Sequence, residues 1–253
     1  MPIKEHFKMA SEKEKTEAVA RLIKSSTGDF DFYFFLLLGL LMAALGLFLD
    51  TPEVIIGGML IAPMLYPLLS LSLAIVLTDG KLMFRSTRTL VITFFISVAI
   101  SFILTLLMDN AFVELTFGEQ IAARAKPSIL FFIVAFVSGL AATYSMVHTS
   151  LNEMLPGVAI SVSLVPPLAV IGIGLGSGEM SYAWGSFMLF ILNAVGIALA
   201  SMITFTLMNI HSTRKIAQSA VLQEEKRLAE ESKKIDEIKL QEFKDKYENN
   251  KAI

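Results

Sequence analysis

Residues Glu53–Leu77 read EVIIGGMLIAPMLYPLLSLSLAIVL, long and apolar enough to cross a bilayer yet interrupted near the middle by Pro63 and Pro67. A second stretch, Glu153–Gly176, reads EMLPGVAISVSLVPPLAVIGIGLG and repeats the plan. Sliding the chain by one hundred residues brings Glu53 onto Glu153, Gly57 onto Gly157, Pro67 onto Pro167 and Leu68 onto Leu168.

The rest of the chain agrees with a membrane setting for this pair. Of 253 residues, 55% are hydrophobic and only 17% charged, against roughly 45–50% and about 25% in soluble domains. Nearly all charges lie at or before Asp31, between Asp79 and Arg88, between Asp109 and Lys126, or after Ile210. The intervening runs have the roughly twenty-residue length that spans a hydrocarbon core of about 30 Å. Near-neutral net charge gives no argument for a nucleic-acid partner. The absence of cysteine excludes disulfides, thiolate metal sites and cysteine nucleophiles. The first thirty residues lack the short apolar core of a cleaved signal, so the first span is expected to act as the anchor.

The expected fold is all-α and polytopic, with six spans: Phe32–Leu49, Val54–Leu77, Thr89–Met108, Ser128–Val147, Gly157–Gly176, and a last one within Ser181–Ile210. The chain then divides into a cytoplasmic or interfacial helix over 1–31, a three-helix unit over 32–108 and an external loop or interfacial helix over 109–127. A second three-helix unit over 128–210 and a charged cytoplasmic helix over 211–253 complete it. The helix over Lys4–Lys24 reads equally as membrane-associated or simply solvated. In the tail, Leu228, Ile235 and Glu242 share a heptad position, with Ile238 on the adjoining one. Glu231, Glu242 and Asp245 interrupt the seam, so a long charged helix is expected rather than a coiled coil. Lys and Arg in the short loops place both termini in the cytoplasm. The expected location is the cell membrane.

Each unit has three spans, an odd number, so the repeat forces the second unit to sit inverted relative to the first. Phe32 over Phe132, Gly39 over Gly139, Ser101 over Ser201 and Thr93 over Asn193 extend the match. Inverted three-helix repeats occur in many secondary transporters, with sites near the midplane built from discontinuous helices. From Val54 to Pro63 is roughly 15 Å of helix, about half the membrane core. Proline removes an amide donor and clashes with the carbonyl one turn earlier. Around Ile61–Tyr66 and Ser161–Pro166 backbone groups therefore become available to a ligand, unless the prolines only kink their helices.

The residues nominated for a ligand or pore are Gly57, Gly58, Pro63, Tyr66, Pro67 and Thr93, with Gly157, Ser161, Ser163, Pro166, Pro167 and Asn193 from the second unit. Half-helix N-termini favour an anion, whereas unwound carbonyls favour a cation. Each lone hydroxyl also reads as a helix–helix hydrogen bond. Glu53 and Glu153 read as helix caps, in Thr51-Pro-Glu and Ser150-x-x-Glu, or as gates at opposite faces. Asp79 and His148 sit at loop edges, where solvation accounts for them. The glycine run from Gly172 to Gly178 follows no strand and is no nucleotide loop. His6, His148 and His211 lie near loops or tails, and no charged dyad lies within a span. No catalytic residue, metal site or cofactor is expected, and the chain does not read as an enzyme.

The segments Ile56-Gly-Gly-Met-Leu-Ile-Ala-Pro63-x-x-x-Pro67, Leu155-Pro-Gly-Val-Ala-Ile160 and Leu164-Val-Pro-Pro-Leu-Ala169-Val-x-Gly172 resemble a prokaryotic membrane family, the domain of unknown function 389. Ala123-Arg124, Pro127, Gly139 and Leu189–Asn193 also fit its pattern. The resemblance covers roughly Phe32–Leu207 and implies a prokaryotic cell-membrane protein. It implies no activity. Ser161 and Ser163 stand where small apolar residues are expected.

The reading that follows is a transporter or channel-like protein for a small solute or ion, working between the two broken helices in the lipid bilayer. A scaffold or regulator acting through its cytoplasmic helices is the alternative. Glycine- and alanine-rich spans lead us to expect a homo-oligomer.

Overall fold

Apolar runs punctuated by proline and short polar residues fold into helices whose ends those residues fix. The computed structural model of the protein describes residues 10–110, 117–148, 151 and 164–251, and no strand occurs among them. In chain order the helices are α1 (Glu12–Ser25), α2 (Phe30–Phe48), α3 (Pro52–Ile61), α4 (Leu65–Leu77), α5 (Gly80–Asn110), α6 (Glu119–Arg124), α7 (Ile129–Val147), α8 (Val165–Gly176), α9 (Met180–Leu207) and α10 (Arg214–Lys251). Ser11 and Glu14 form a capping box on α1, and Asp29 caps α2 through the Phe32 amide at 3.0 Å.

Four described helices, α2, α5, α7 and α9, are long and apolar enough to cross a membrane, and α3 and α4, bent by 50° at their break, pass the same test when taken together. Their outward faces stay apolar: Phe35 is 50% exposed, Phe95 65%, Val137 58% and Ile203 46%. An apolar surface of that extent needs lipid rather than water around it.

α8 is the axis of the bundle. Every residue from Val165 to Gly174 is buried, because α5, α9 and α2 surround it. The glycines let backbones meet. A Cβ on Gly172 would lie 2.5 Å from the Val98 carbonyl, and one on Gly176 would lie 2.8 Å from Thr105 Cβ, both on α5. Gly39 and Gly58 bring α2 against α3 in the same manner, and Gly139 brings α7 against α9.

The bundle has two distinct faces. On the first, α1 packs on α4, α7 and the base of α10. On the second, the Gln120 amide of α6 donates to Asp50 at 2.7 Å, and Ser186 of α9 donates to the Arg124 carbonyl at 2.9 Å.

Several expectations change here. The N-terminal helix is not wholly solvated: Ala18, Val19, Leu22 and Ile23 are buried against the first face. Lys81, Arg85 and Arg88 do not form a loop, since α5 begins at Gly80 and carries them in its opening turns. Asp79 is 6% exposed and accepts the Leu82 amide at 3.0 Å, so it caps α5 rather than sitting in solvent. Within 109–127, α6 buries Ile121 in the bundle. Pro52 opens α3 and Glu53 lies exposed in its first turn, but the Thr51 hydroxyl turns back to the Leu49 carbonyl and caps nothing. His148 stacks on Tyr144 with ring centroids 4.2 Å apart. The tail is one charged helix over Arg214–Lys251, with Ile235 and Ile238 exposed.

Candidate functional site

The break in the second span is the tripeptide Ala62–Pro63–Met64. Ala62 is extended, at φ −74° and ψ 122°, and the Met64 amide donates to the Ala62 carbonyl at 2.9 Å. Pro63 has no amide, so the Met59 carbonyl, its partner in a continuous helix, is released. Pro67 is not in the break. It is the third residue of α4, as Pro167 is the third residue of α8, with Pro166 before it. Proline is tolerated in a first helical turn, where an amide would have no carbonyl to reach.

These positions alter the electrostatics expected of the site. Each half-helix start carries positive dipole, yet Pro166 and Pro167 supply no N–H donor and Pro67 removes another. The α4 and α8 termini are poor cradles for an anion. The released acceptors at the end of α3 suit a ligand that brings positive charge or hydroxyl donors.

Met64 and Leu164, the residues preceding α4 and α8, line one cavity of 390 Å³ with Leu68, Leu90, Phe94, Phe190 and Ala194. The starts of α4 and α8 therefore border one apolar cavity. Among the described residues those lining this cavity are all apolar.

The polar side is on α5. Thr89, Thr93, Ser97, Ser101 and Thr105 are all buried and recur every four residues, forming one stripe along the helix. At one end Ser86 donates to Ser70 of α4 at 2.9 Å. At the other, Ser101 and Thr105 face Gly172 and Gly176 of α8. Ser86 and Ser101 are about 22 Å apart along the axis, so Thr93 and Ser97 fall between the two contacts, near the level where α4 and α8 begin.

Buried helical hydroxyls elsewhere in the protein back-bond one turn: Thr105 to the Ser101 carbonyl at 2.8 Å, Thr143 to Gly139 at 2.8 Å, Ser201 to Ile197 at 2.7 Å. The hydroxyls of Thr93, Ser97 and Ser101 have no hydrogen-bond partner among the described residues, although each residue is 0% exposed. Leaving a buried hydroxyl unsatisfied costs about 1–3 kcal/mol. Three in one file call for an explanation, since buried polar groups are ordinarily hydrogen-bonded.

Of the nominated residues, Thr93 lies on this stripe, Pro63 forms the break, and Tyr66, Pro67, Pro166 and Pro167 sit in the adjoining first turns. Asn193 is buried on α9 at 2% exposure. Gly58 belongs to helix packing, since a Cβ there would meet the Gly39 carbonyl at 2.5 Å, and Gly57 faces only the tip of Met42. Glu153, Gly157, Ser161 and Ser163, with the cap at Ser150, lie outside the described residues. Ser97 went unnominated although the signal was legible: hydroxyls at 89, 93, 97, 101 and 105 are evenly spaced on one helical face. Arg124, in the sequence a loop charge that also fits the family pattern, is placed by the fold on α6. It is substantially buried on the second face, where burial pulls its guanidinium below the usual range despite nearby Asp50. Its Nη1 donates to the Gln120 carbonyl at 2.7 Å and side chain at 2.8 Å.

No solved structure matches the chain. It is 31% identical over 183 residues to an uncharacterized protein of Methanocaldococcus jannaschii, an alignment covering 71% of this chain and 54% of the relative. The chain thus spans about half the length of the curated relative it matches. The model of the domain of unknown function DUF389 matches residues 59–199, a span that contains the break, the hydroxyl stripe and all of α8. With its broken span and central α8 inside that match, the chain belongs to the DUF389 family.

Proposed function

We propose that this membrane protein binds and passes a small solute or ion through the junction of α3, α4 and α8, along the hydroxyl stripe of α5. The observation that carries the reading is the file of Thr93, Ser97 and Ser101, fully buried and without hydrogen-bond partners among the described residues. The released carbonyl of α3 and the donor-poor helix starts favour a cation or a hydroxylated neutral solute over an anion.

An inverted pair of three-helix units supports this reading. α4 begins at Leu65 and α8 at Val165, and α5 begins at Gly80 and α9 at Met180. Helix starts one hundred residues apart, with Pro67 and Pro167 at the same helical position, fit a repeat whose half-helices converge at mid-membrane. Six spans, termini in the cytoplasm and a homo-oligomeric state belong to the same proposal. The repeat is not uniform in its packing: Gly39 faces α3, whereas Gly139 faces α9.

The chain has no cysteine, which provides a direct test. Ser97→Cys and Thr93→Cys in liposomes should react with a charged, membrane-impermeant thiol reagent, and reaction should block sodium, potassium or glycerol flux. Phe95→Cys, on the lipid-facing side, should stay unreactive. A Ser97→Cys protein that is folded and inert to the reagent refutes an aqueous path.

A further inference from the structure

Where α5 emerges at the first face it carries Lys81, Arg85 and Arg88, spaced four and three residues apart and so on one side of the helix. With Thr27, Gly28 and Tyr33 from the start of α2 and the turn before it, they line a cavity of 490 Å³, and Glu225 and Leu228 of α10 form its outer wall. The same wall continues down α5 as Ile92 and Ile96. Ile96 lies about 12 Å beyond Arg88 along the axis. The cavity is therefore cationic at the membrane surface and apolar toward the membrane interior.

The lining carries more positive than negative charge, Lys81, Arg85 and Arg88 against Glu225. Among the described residues none of Lys81, Arg85 and Arg88 forms an ion pair. The ion pairs of the neighbouring carboxylates are made with Arg227, which binds Asp29 at 2.9 Å, Glu224 at 2.8 Å and Glu231 at 2.8 Å. Asp29, Glu224 and Glu225 also act on Arg85 through space. Arg85 is held by neutral acceptors, the Thr27 hydroxyl and the Val221 carbonyl, so it is fixed in position with its charge intact. Glu225 is the carboxylate in the wall, and it too forms no ion pair among the described residues.

We propose that this cavity seats an anionic phospholipid, its phosphate between Arg85, Arg88 and Lys81 and one acyl chain along Ile92 and Ile96. Arginine recognises phosphate through paired donors, and basic pockets between membrane helices hold anionic headgroups. Inorganic phosphate shares the first half of that chemistry and makes no use of the apolar wall.

The test is native mass spectrometry of the full chain in detergent, offered phosphatidylglycerol, phosphatidylcholine of matched chains, or glycerol 3-phosphate. Phosphatidylglycerol should be retained selectively. Lys81→Gln with Arg88→Gln should lower its retention about thirtyfold, whereas Arg214→Gln with Lys215→Gln, outside this cavity, should not. Equal retention of the two lipids, or unchanged retention in the double variant, overturns the proposal. Should that variant fail to fold, the wild-type comparison decides. Glycerol 3-phosphate bound as tightly as phosphatidylglycerol removes the acyl seat and overturns the lipid assignment.

Discussion

Removing the three hydroxyls of the α5 stripe gives opposite signs in a dry and an occupied site. In a dry core, Thr93, Ser97 and Ser101 each carry an unsatisfied hydroxyl at 0% exposure, costing about 1–3 kcal/mol apiece. Thr93→Val is nearly isosteric and Ser→Ala removes a single atom, so little packing is lost in return. Thr93→Val with Ser97→Ala and Ser101→Ala would then stabilise the protein by several kcal/mol, less any coupling between neighbours. In an occupied site the same hydroxyls are already satisfied, and deleting them discards about 0.5–1.5 kcal/mol of net hydrogen bonding each. It also discards the stabilisation a bound ligand confers, about 2.7 kcal/mol at a hundredfold excess over Kd. We expect the triple variant to be no more stable than wild type and to lose flux. Reversible unfolding in mixed micelles supplies the first quantity and liposome efflux the second. A gain above about 2 kcal/mol with flux unchanged would refute the reasoning, because it would mean the stripe is merely a dry imperfection of packing.

Three further outcomes follow from the packing and the first face. Gly172→Ala places a Cβ 2.5 Å from the Val98 carbonyl and 2.6 Å from Ser101 Cβ, and should cost about 1–3 kcal/mol in the same unfolding assay. Gly57→Ala meets only the flexible end of Met42; it should be neutral or stabilising by up to about 1 kcal/mol, with flux intact. Glu12 is held below its ordinary 4.5 first by the Lys15 ammonium and then by the Ser212 hydroxyl. A depressed carboxylate stabilises above its unfolded pKa, and that contribution disappears as pH falls through the folded value. Amides of α1, corrected for intrinsic exchange, should therefore lose protection in acid, and Glu12→Gln should flatten that pH dependence.

The sequence alone determined that this is a helical membrane protein with a broken second span, because those properties are local. An apolar run of given length either fills a bilayer or does not, and Pro63 removes its own amide whatever surrounds it. The same locality made the family legible from the segments around Pro63 and Pro167. Tertiary structure decided which face each residue presents and what it meets there. Pro67, Pro166 and Pro167 read as breaks in one dimension, and the fold makes them first-turn residues of α4 and α8; before α4 the helix is interrupted at Ala62 and Pro63. Gly58 looked like a ligand contact and is a backbone-to-backbone contact with α2. Lys81, Arg85 and Arg88 looked like a loop, since charge weighs more than propensity when spans are read from composition, and α5 instead carries them into the first face. Thr93 was visible as one polar residue among many. Its significance required the opposing α8, whose glycines approach one end of the stripe while Ser70 holds the other. The free hydroxyls of Thr93 and Ser97 then lie between those two contacts, near the level where α4 and α8 begin, an alignment set by the packing of three helices together.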